Sequence, residues 1–214
     1  MNISREQLIL YAVTDRSWLN GRTLYEQVEE ALEGGTTLVQ LREKNMPDKD
    51  FINEAVLIME LCHRYNVPLI INDRVNVAAE IHADGVHIGQ SDMDAAKARK
   101  ILGPDSIIGV TAKTVEQALK AQAEGADYLG SGAVFGTTTK SDAKPMDIDT
   151  LNAICDSVDI PVVAIGGINN DNVMKLSGSR IAGIAVVSGI FDNEDIKGAA
   201  QSLRAKALNI ISGR

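Results

Sequence analysis

The chain has 214 residues, of which 45% are hydrophobic and only 4% aromatic, and its 29 acidic and 21 basic residues give a net charge of −8. This length favours one domain over two, and a core with so few aromatic residues must be built from Ala, Val, Ile and Leu packed between parallel elements. The negative charge argues against nucleic acid or an anionic membrane as a partner, so any field that attracts phosphate must be local.

Targeting and redox signals are absent from the sequence. No apolar run approaches the about 18 residues that span a bilayer, and the N-terminus does not follow the pattern of a signal peptide. Cys62 and Cys155 are far apart and show no metal-ligand spacing. We therefore expect a cytoplasmic protein whose two cysteines are buried as small hydrophobic residues.

Short runs rich in Val and Ile alternate with amphipathic stretches along the whole chain. The predicted strands are 8–14, 37–42, 67–73, 85–89, 106–111, 126–132, 160–167 and 182–189. The predicted helices include 23–34, 48–65, 114–124, 147–157 and 194–208. Such alternation produces a parallel sheet that is either open and doubly wound or closed, and eight repeats favour an α/β fold of one (β/α)₈ TIM barrel over residues 1–214. A ligand site is then expected where the loops after the strands meet.

The second predicted strand ends in a charged segment. Alternation along the strand sends Gln40, Arg42 and Lys44 to one side, so two cations converge at the barrel mouth. A planar guanidinium and a mobile ammonium together suit a diphosphate. The spacing is equally compatible with a charged loop that is merely solvated.

Two acids follow neighbouring strands. Asp73 ends the third strand and Asp92 lies a few residues beyond the fourth, so both are expected at the same rim. Carboxylate oxygens there favour Mg²⁺ that is shared with phosphate oxygens. On position alone, helix N-caps are the commoner use of such acids.

Glycines and hydroxyls follow the last two strands. Gly166 and Gly167 precede cap candidates at 169–171 that are predicted to open a helix, and Val187 and Ser188 follow strand eight. In barrels these two loops commonly bind phosphate through backbone N–H groups. The alternative is that the glycines make tight turns and Ser188 is only a cap.

The longest polar stretch without periodicity is 136–146, which we predict to be a mobile loop over the site. Its hydroxyls and ammonium form a candidate phosphate clamp made of Thr137, Thr138, Thr139 and Lys140.

The three histidines, His63, His82 and His87, show no mutual metal-ligand spacing, so we predict structural roles for them. The chain has no Gly-x-Ser-x-Gly elbow and no cysteine with a recognisable histidine partner, which argues against a protein nucleophile.

Taken in order, eight segments resemble the motifs of the thiamine-phosphate synthase family: YAVTD, VQLREK, INDR, GVHIGQSD, GVTAKT, GADYLGSGAVFGTTTK, VVAIGGI and GIAVVSGIF. The match runs from Tyr11 to Phe191. It implies a barrel enzyme that joins a hydroxymethylpyrimidine diphosphate to a thiazole phosphate or its carboxylated precursor, with Mg²⁺, and releases diphosphate. The implied partners are therefore phosphorylated small molecules, not nucleic acid or membrane, and assembly into a homo-oligomer is left open.

The resemblance also assigns roles by motif. The implied substrate-binding residues are Gln40, Arg42, Glu43, Lys44, Asn72, Thr111, Thr137, Thr138, Thr139, Lys140, Gly167, Val187 and Ser188. The implied catalytic residues are Arg42, Lys44, Thr111 and Lys140, and the implied Mg²⁺ ligands are Asp73 and Asp92.

Two positions depart from the usual family pattern. Thr111 stands where Ser is general, and Lys113 where His is frequent. Because related thiazole tautomerases resemble this fold and use a His in that region, Lys113 favours the synthase over such an isomerase. A barrel that binds phosphate ligands without catalysis is a third alternative, against which Asp73, Asp92 and Lys140 argue.

Overall fold

The computed structural model describes residues 2–136 and 145–213. Its strands are β1 Leu10–Val13, β2 Leu38–Leu41, β3 Leu69–Asn72, β4 Gly85–Ile88, β5 Ile107–Thr111, β6 Tyr128–Gly132, β7 Val162–Ile165 and β8 Gly183–Val186. Its α-helices are α1 Leu24–Glu33, α2 Asp48–Arg64, α3 Val75–Glu80, α4 Ala95–Leu102, α5 Val115–Ala123, α6 Ile148–Ser157, α7 Ser188–Phe191 and α8 Ile196–Ser212. Three short 3₁₀ helices cover Glu6–Leu8, Arg16–Trp18 and Val173–Leu176.

The strands form one closed parallel barrel. Each pairs with the next in chain order, and Tyr11 of β1 is aligned with Leu38 of β2 on one side and Ala185 of β8 on the other. The prediction of a (β/α)₈ barrel over an open sheet is confirmed, and every observed strand lies within its predicted run. Closure brings all the carboxyl ends of the strands to one mouth.

Five of the eight α-helices in the described residues begin at a side chain that accepts a hydrogen bond from the first turn. Thr23 and Glu26 form a reciprocal capping box at the start of α1. Asp94, Thr114 and Asp147 cap α4, α5 and α6 through their own side chains. Such caps satisfy backbone donors that a helix leaves open, and so fix where each crossover segment turns back along the barrel.

The core has two layers. The outer layer fills the space between the barrel and its helices. The inner layer fills the barrel itself and includes Tyr11, Leu38, Ile70, Ile107, Tyr128, Val163 and Ala185. Gly109 of β5 makes room for the ring of Tyr128, because a Cβ at position 109 would lie 2.1 Å from Tyr128 Cζ.

Three local predictions differ from the structure. The helix expected after 169–171 is only the short 3₁₀ helix Val173–Leu176. Cys62 is buried, and burial raises its pKa to about 12, but Cys155 is partly exposed. The short helices α3 and α4 were not predicted. Most of the predicted loop 136–146 lies outside the described residues.

No helix in the described ranges is long and apolar enough to cross a membrane.

Candidate active site

The carboxyl ends of all eight strands surround one cavity at the mouth of the barrel. Eight residues predicted from the sequence line it: Gln40, Arg42, Asn72, Asp73, Thr111, Gly167, Val187 and Ser188. They end or follow β2, β3, β5, β7 and β8. Strands remote in the chain therefore present amide, hydroxyl, carboxylate and guanidinium groups to one space.

Arg42 is the cation of this wall that is held most firmly. Its backbone N–H donates to the hydroxyl of Thr14 at 3.0 Å, and its guanidinium donates to the Asp15 carboxylate at 2.7 Å. Burial alone would raise the pKa of Asp15, but hydrogen bonds from Ser17 and the charge of Arg42 hold that pKa below its ordinary value. Asp15 stays ionised and fixes the guanidinium plane at the cavity edge.

Glu43 and Lys44 do not line the cavity. They line an adjoining groove that Arg42 also borders. The Arg16 guanidinium donates to the carboxylates of Glu43 and Glu54. Burial is the main cause that raises the pKa of Glu43, with Arg16 opposing it and Glu54 adding to it. Lys44 is exposed, at the outer edge of the predicted diphosphate segment.

The two predicted metal ligands lie after neighbouring strands. The Asp73 N–H donates to the His87 carbonyl at 2.9 Å, and Asp73 has a positive φ of 59°. Asp92 is not in the cavity wall; its carboxylate accepts from the N–H of Gly89 at 2.7 Å, and Gly89 is in that wall.

Neither acid serves as a helix cap. The N-cap of α3 is Arg74, and that of α4 is Asp94, whose carboxylate accepts from the Lys97 N–H. The helix-cap alternative for Asp73 and Asp92 is therefore wrong. Within 2–136 and 145–213, no three acidic, histidine or cysteine side chains are grouped to hold a metal by themselves.

The loops after β7 and β8 form the opposite wall. Gly166 and Gly167 have φ values of 104° and 68°, and a Cβ at position 167 would lie 2.2 Å from the Gly136 carbonyl oxygen. Asn172 holds this loop from behind, accepting from the Asn169 N–H at 3.0 Å and donating to the Gly167 carbonyl at 2.8 Å. Glycine is required here because other residues are strained in this conformation.

A chain of hydrogen bonds crosses the barrel beneath the cavity. Gln40 Nε2 donates to the Tyr11 hydroxyl, which lies 2.8 Å from the Tyr128 hydroxyl. The Tyr128 hydroxyl is 3.1 Å from His87 Nδ1, and His87 Nε2 is 3.0 Å from Thr111 Oγ1. Two predicted site residues, Gln40 and Thr111, are thus joined through three others.

The sequence does not predict this series of hydrogen bonds. His87, for which the sequence predicts a structural role, lines the cavity, as does Tyr11. The available signal was strand alternation, which places Tyr11 on the same side of β1 as Val13. Lys113 also lines the cavity, where its exposed ammonium stands at the mouth.

Four predicted residues cannot be placed: Thr137, Thr138, Thr139 and Lys140 lie outside the described residues.

Comparison with known proteins identifies the family. A family model described as thiamine monophosphate synthase matches residues 10–190. A thiamine-phosphate synthase of Clostridium tetani is 55% identical over 194 residues, which cover 91% of this chain and 93% of the relative. One of Ruminiclostridium cellulolyticum is 52% identical over 200 residues, covering 94% and 95%.

Solved structures agree. A thiamine phosphate pyrophosphorylase from Pyrococcus furiosus is 40% identical and superposes with a TM-score of 0.89 over 97% of this chain and 98% of its own. The resemblance drawn from the motifs is confirmed, and with it the assignment to a transferase family. The chain belongs to the thiamine monophosphate synthase family.

Proposed function

We propose that this enzyme joins a hydroxymethylpyrimidine diphosphate to a thiazole phosphate or its carboxylated precursor, which yields thiamine phosphate and diphosphate, with release of CO₂ when the carboxylated precursor reacts. The observation that carries the proposal is that seven predicted substrate-binding residues and one predicted metal ligand line one cavity, in a chain of this family. The Thr111 hydroxyl lies 3.0 Å from His87 Nε2, but the proposed reaction needs no protein nucleophile because the thiazole nitrogen attacks the pyrimidine methylene carbon.

The pyrimidine is proposed to lie between β2 and β3. Gln40 and Asn72 carry amides, which both donate and accept, and therefore match the amine and ring nitrogens of an aminopyrimidine. Val163, Ile165 and Ala185 line the same cavity and supply an apolar wall for the ring. A buried polar ligand ring needs both kinds of contact.

The diphosphate is proposed to lie toward Arg42. Its guanidinium, oriented by Asp15, offers a planar fork, and Lys44 in the adjoining groove adds a mobile charge. Lys140 remains part of this proposal from its motif. Because the Glu43 carboxylate is engaged by Arg16, we propose that Glu43 acts by holding the segment in place.

The thiazole phosphate is proposed to lie against the loops after β7 and β8. Gly167 allows close approach of its backbone, and Val187 and Ser188 add N–H groups and a hydroxyl. Thr137, Thr138 and Thr139 complete the proposed phosphate contacts from their motif.

Asp73 and Asp92 fit Mg²⁺ as a donor set. Both offer hard carboxylate oxygens after neighbouring strands, and Mg²⁺ commonly takes one or two carboxylates and completes its shell with phosphate and water. When bound, Mg²⁺ would compensate the negative charge of the diphosphate. The side chains of Asp73 and Asp92 are the groups that we propose hold it.

The proposed chemistry is a dissociative substitution. The bond between the exocyclic methylene carbon and the diphosphate oxygen breaks, and both electrons leave with the diphosphate. The electron-rich aminopyrimidine stabilises the resulting carbocation until the thiazole nitrogen donates its lone pair to that carbon. The protein's part is to stabilise the leaving group with Arg42 and Lys44, to exclude water, and to hold the reactants with groups such as Thr111.

The deciding experiment is incubation of the protein with both substrates and Mg²⁺, followed by detection of thiamine phosphate. Formation of the product supports the proposal. Isomerisation of the thiazole carboxylate phosphate alone would support a tautomerase instead, in spite of Lys113. Tight phosphate binding with neither activity would support a barrel that only binds its ligands.

A further inference from the structure

The hydrogen-bonded chain beneath the cavity is closed off from solvent. Tyr11 is 1% exposed, Tyr128 is 0% exposed and Gln40 is 4% exposed. Burial raises the pKa of both phenols above the ordinary tyrosine value. Each phenol therefore keeps its single proton and donates one hydrogen bond only.

The donor at one end fixes the direction of every bond that follows. Gln40 donates to Tyr11, so the Tyr11 proton must be used elsewhere, and the acceptor that the described residues offer is Tyr128. If Tyr128 donated to Tyr11 instead, the buried Tyr11 proton would be left without a hydrogen-bond acceptor, which is unfavourable away from water. The favoured order is Gln40 to Tyr11 to Tyr128 to His87 Nδ1.

The order sets the tautomer of His87. A neutral imidazole that accepts at Nδ1 carries its proton at Nε2, and Nε2 then donates to Thr111 Oγ1 at 3.0 Å. The hydroxyl proton of Thr111 is consequently directed away from His87. Thr111 lines the cavity, so that proton is available to an acceptor on a bound ligand.

We infer that Tyr11 and Tyr128 are positioning residues that hold His87 as its Nε2-protonated tautomer and thereby make Thr111 a hydrogen-bond donor to the substrate. The tautomer is inferred from the donor at Gln40 and from the need of each buried hydroxyl proton for an acceptor, whereas the donation to substrate rests on the proposed function. The two parts are tested separately.

The first test is the ¹⁵N NMR spectrum of histidine-labelled protein without ligand, in which His63 and His82 serve as internal references. Wild-type His87 is expected to show protonated Nε2 and unprotonated Nδ1. Gln40→Glu replaces the donor by a carboxylate that only accepts, so each bond should reverse and the proton should move to Nδ1 of His87. An Nδ1 proton in the wild type, or no change on Gln40→Glu, would overturn the inference.

The matched control interrupts the series of hydrogen bonds between Gln40 and His87. In the double variant Tyr11→Phe/Gln40→Glu the carboxylate has no hydroxyl through which to act, so His87 should keep the wild-type tautomer. A change of tautomer in this variant too would mean that charge alone causes it, and would overturn the role of Tyr11.

The second test is a double-mutant cycle on the reaction. Tyr128→Phe should lower kcat/KM about tenfold in the wild type, the effect of one hydrogen bond, but less than about twofold in a Thr111→Val background. Thr111→Ser should keep the full effect of Tyr128→Phe because the hydroxyl remains. Additive losses in kcat/KM would show that Tyr128 does not act through Thr111. This kinetic test depends on the proposed function, whereas the NMR test does not.

Discussion

The carboxylate of Asp15 lies 2.7 Å from the guanidinium of Arg42, and both side chains are largely shielded from water. Asp15 follows β1 and Arg42 follows β2, so the pair joins two adjacent strand ends. Arg42 is therefore oriented before any anion arrives, which lowers the ordering cost of binding a diphosphate.

Asp15→Asn is expected to lower the stability at neutral pH by about 1–2 kcal/mol, because it removes a charge-assisted hydrogen bond. The folded state holds the pKa of Asp15 below its ordinary value of 3.8, so this stabilisation is fully present above that value and is lost as pH falls through the lowered pKa. The melting temperatures of wild type and variant should converge below about pH 4. Asp105→Asn, at an exposed position, serves as control. A difference in melting temperature between wild type and Asp15→Asn that stays constant as the pH falls would contradict the prediction.

Replacement of the proposed metal ligands should affect turnover much more than folding. Asp73→Asn tolerates the positive φ and Asp92→Asn still accepts from Gly89, so both remove charge and retain local structure. Each should lower Mg²⁺-dependent kcat at least about 100-fold with little change in melting temperature.

The matched control for these two variants is Asp94→Ala, which removes a true helix cap. It should cost about 0.5–2 kcal/mol of stability and leave kcat nearly unchanged. A fully active Asp73→Asn or Asp92→Asn enzyme would remove that residue from the proposed metal site.

Much of the barrel was predictable because its strands are local in sequence. Short runs of apolar and small residues identify every strand, and the count of eight favours closure. Strand alternation was also sufficient to place Gln40 and Arg42 at the same cavity, because side chains two residues apart along a strand point to the same side.

The features of the site that could not be predicted depend on contacts between distant strands or on turns and helices too short to show a repeat. The Tyr11 and Tyr128 hydroxyls meet across 117 residues, and only the barrel register makes them neighbours. The place of Asp92 depends on a turn at Gly89 that no periodicity reveals. The six-residue helix α3 is too short to show a clear helical repeat.

Asn172→Ala should raise KM for the thiazole phosphate about fivefold to tenfold with a smaller effect on kcat, because it removes both hydrogen bonds that hold the loop at Gly167. The measurement is steady-state kinetics with the pyrimidine diphosphate saturating. Asn209→Ala, on the exposed face of α8, is the control and should match the wild type. An unchanged KM would mean that the loop keeps its shape without Asn172.

Glu43 should change the stability of the folded protein with pH in the opposite direction to Asp15. Its pKa is raised in the folded protein, so the folded state binds this proton more tightly than the unfolded state does. Stability is therefore greatest below the ordinary value of 4.5 and falls as pH rises through the raised pKa. In Glu43→Gln, the slope of melting temperature between about pH 4 and pH 7 should be shallower than in the wild type, whereas the exposed Glu60→Gln should retain the wild-type slope.

Gly109 and Tyr128 lie so close together that a change at one position limits which changes the other can take. A methyl group at position 109 would meet the Tyr128 ring at 2.1 Å, so a side chain gained there first would have to displace that buried ring. Loss of the tyrosine first leaves only a void, which weakens the barrel but keeps it closed. Lineages that abandon this tyrosine should therefore change position 128 before position 109, and the two positions should covary among relatives in that order.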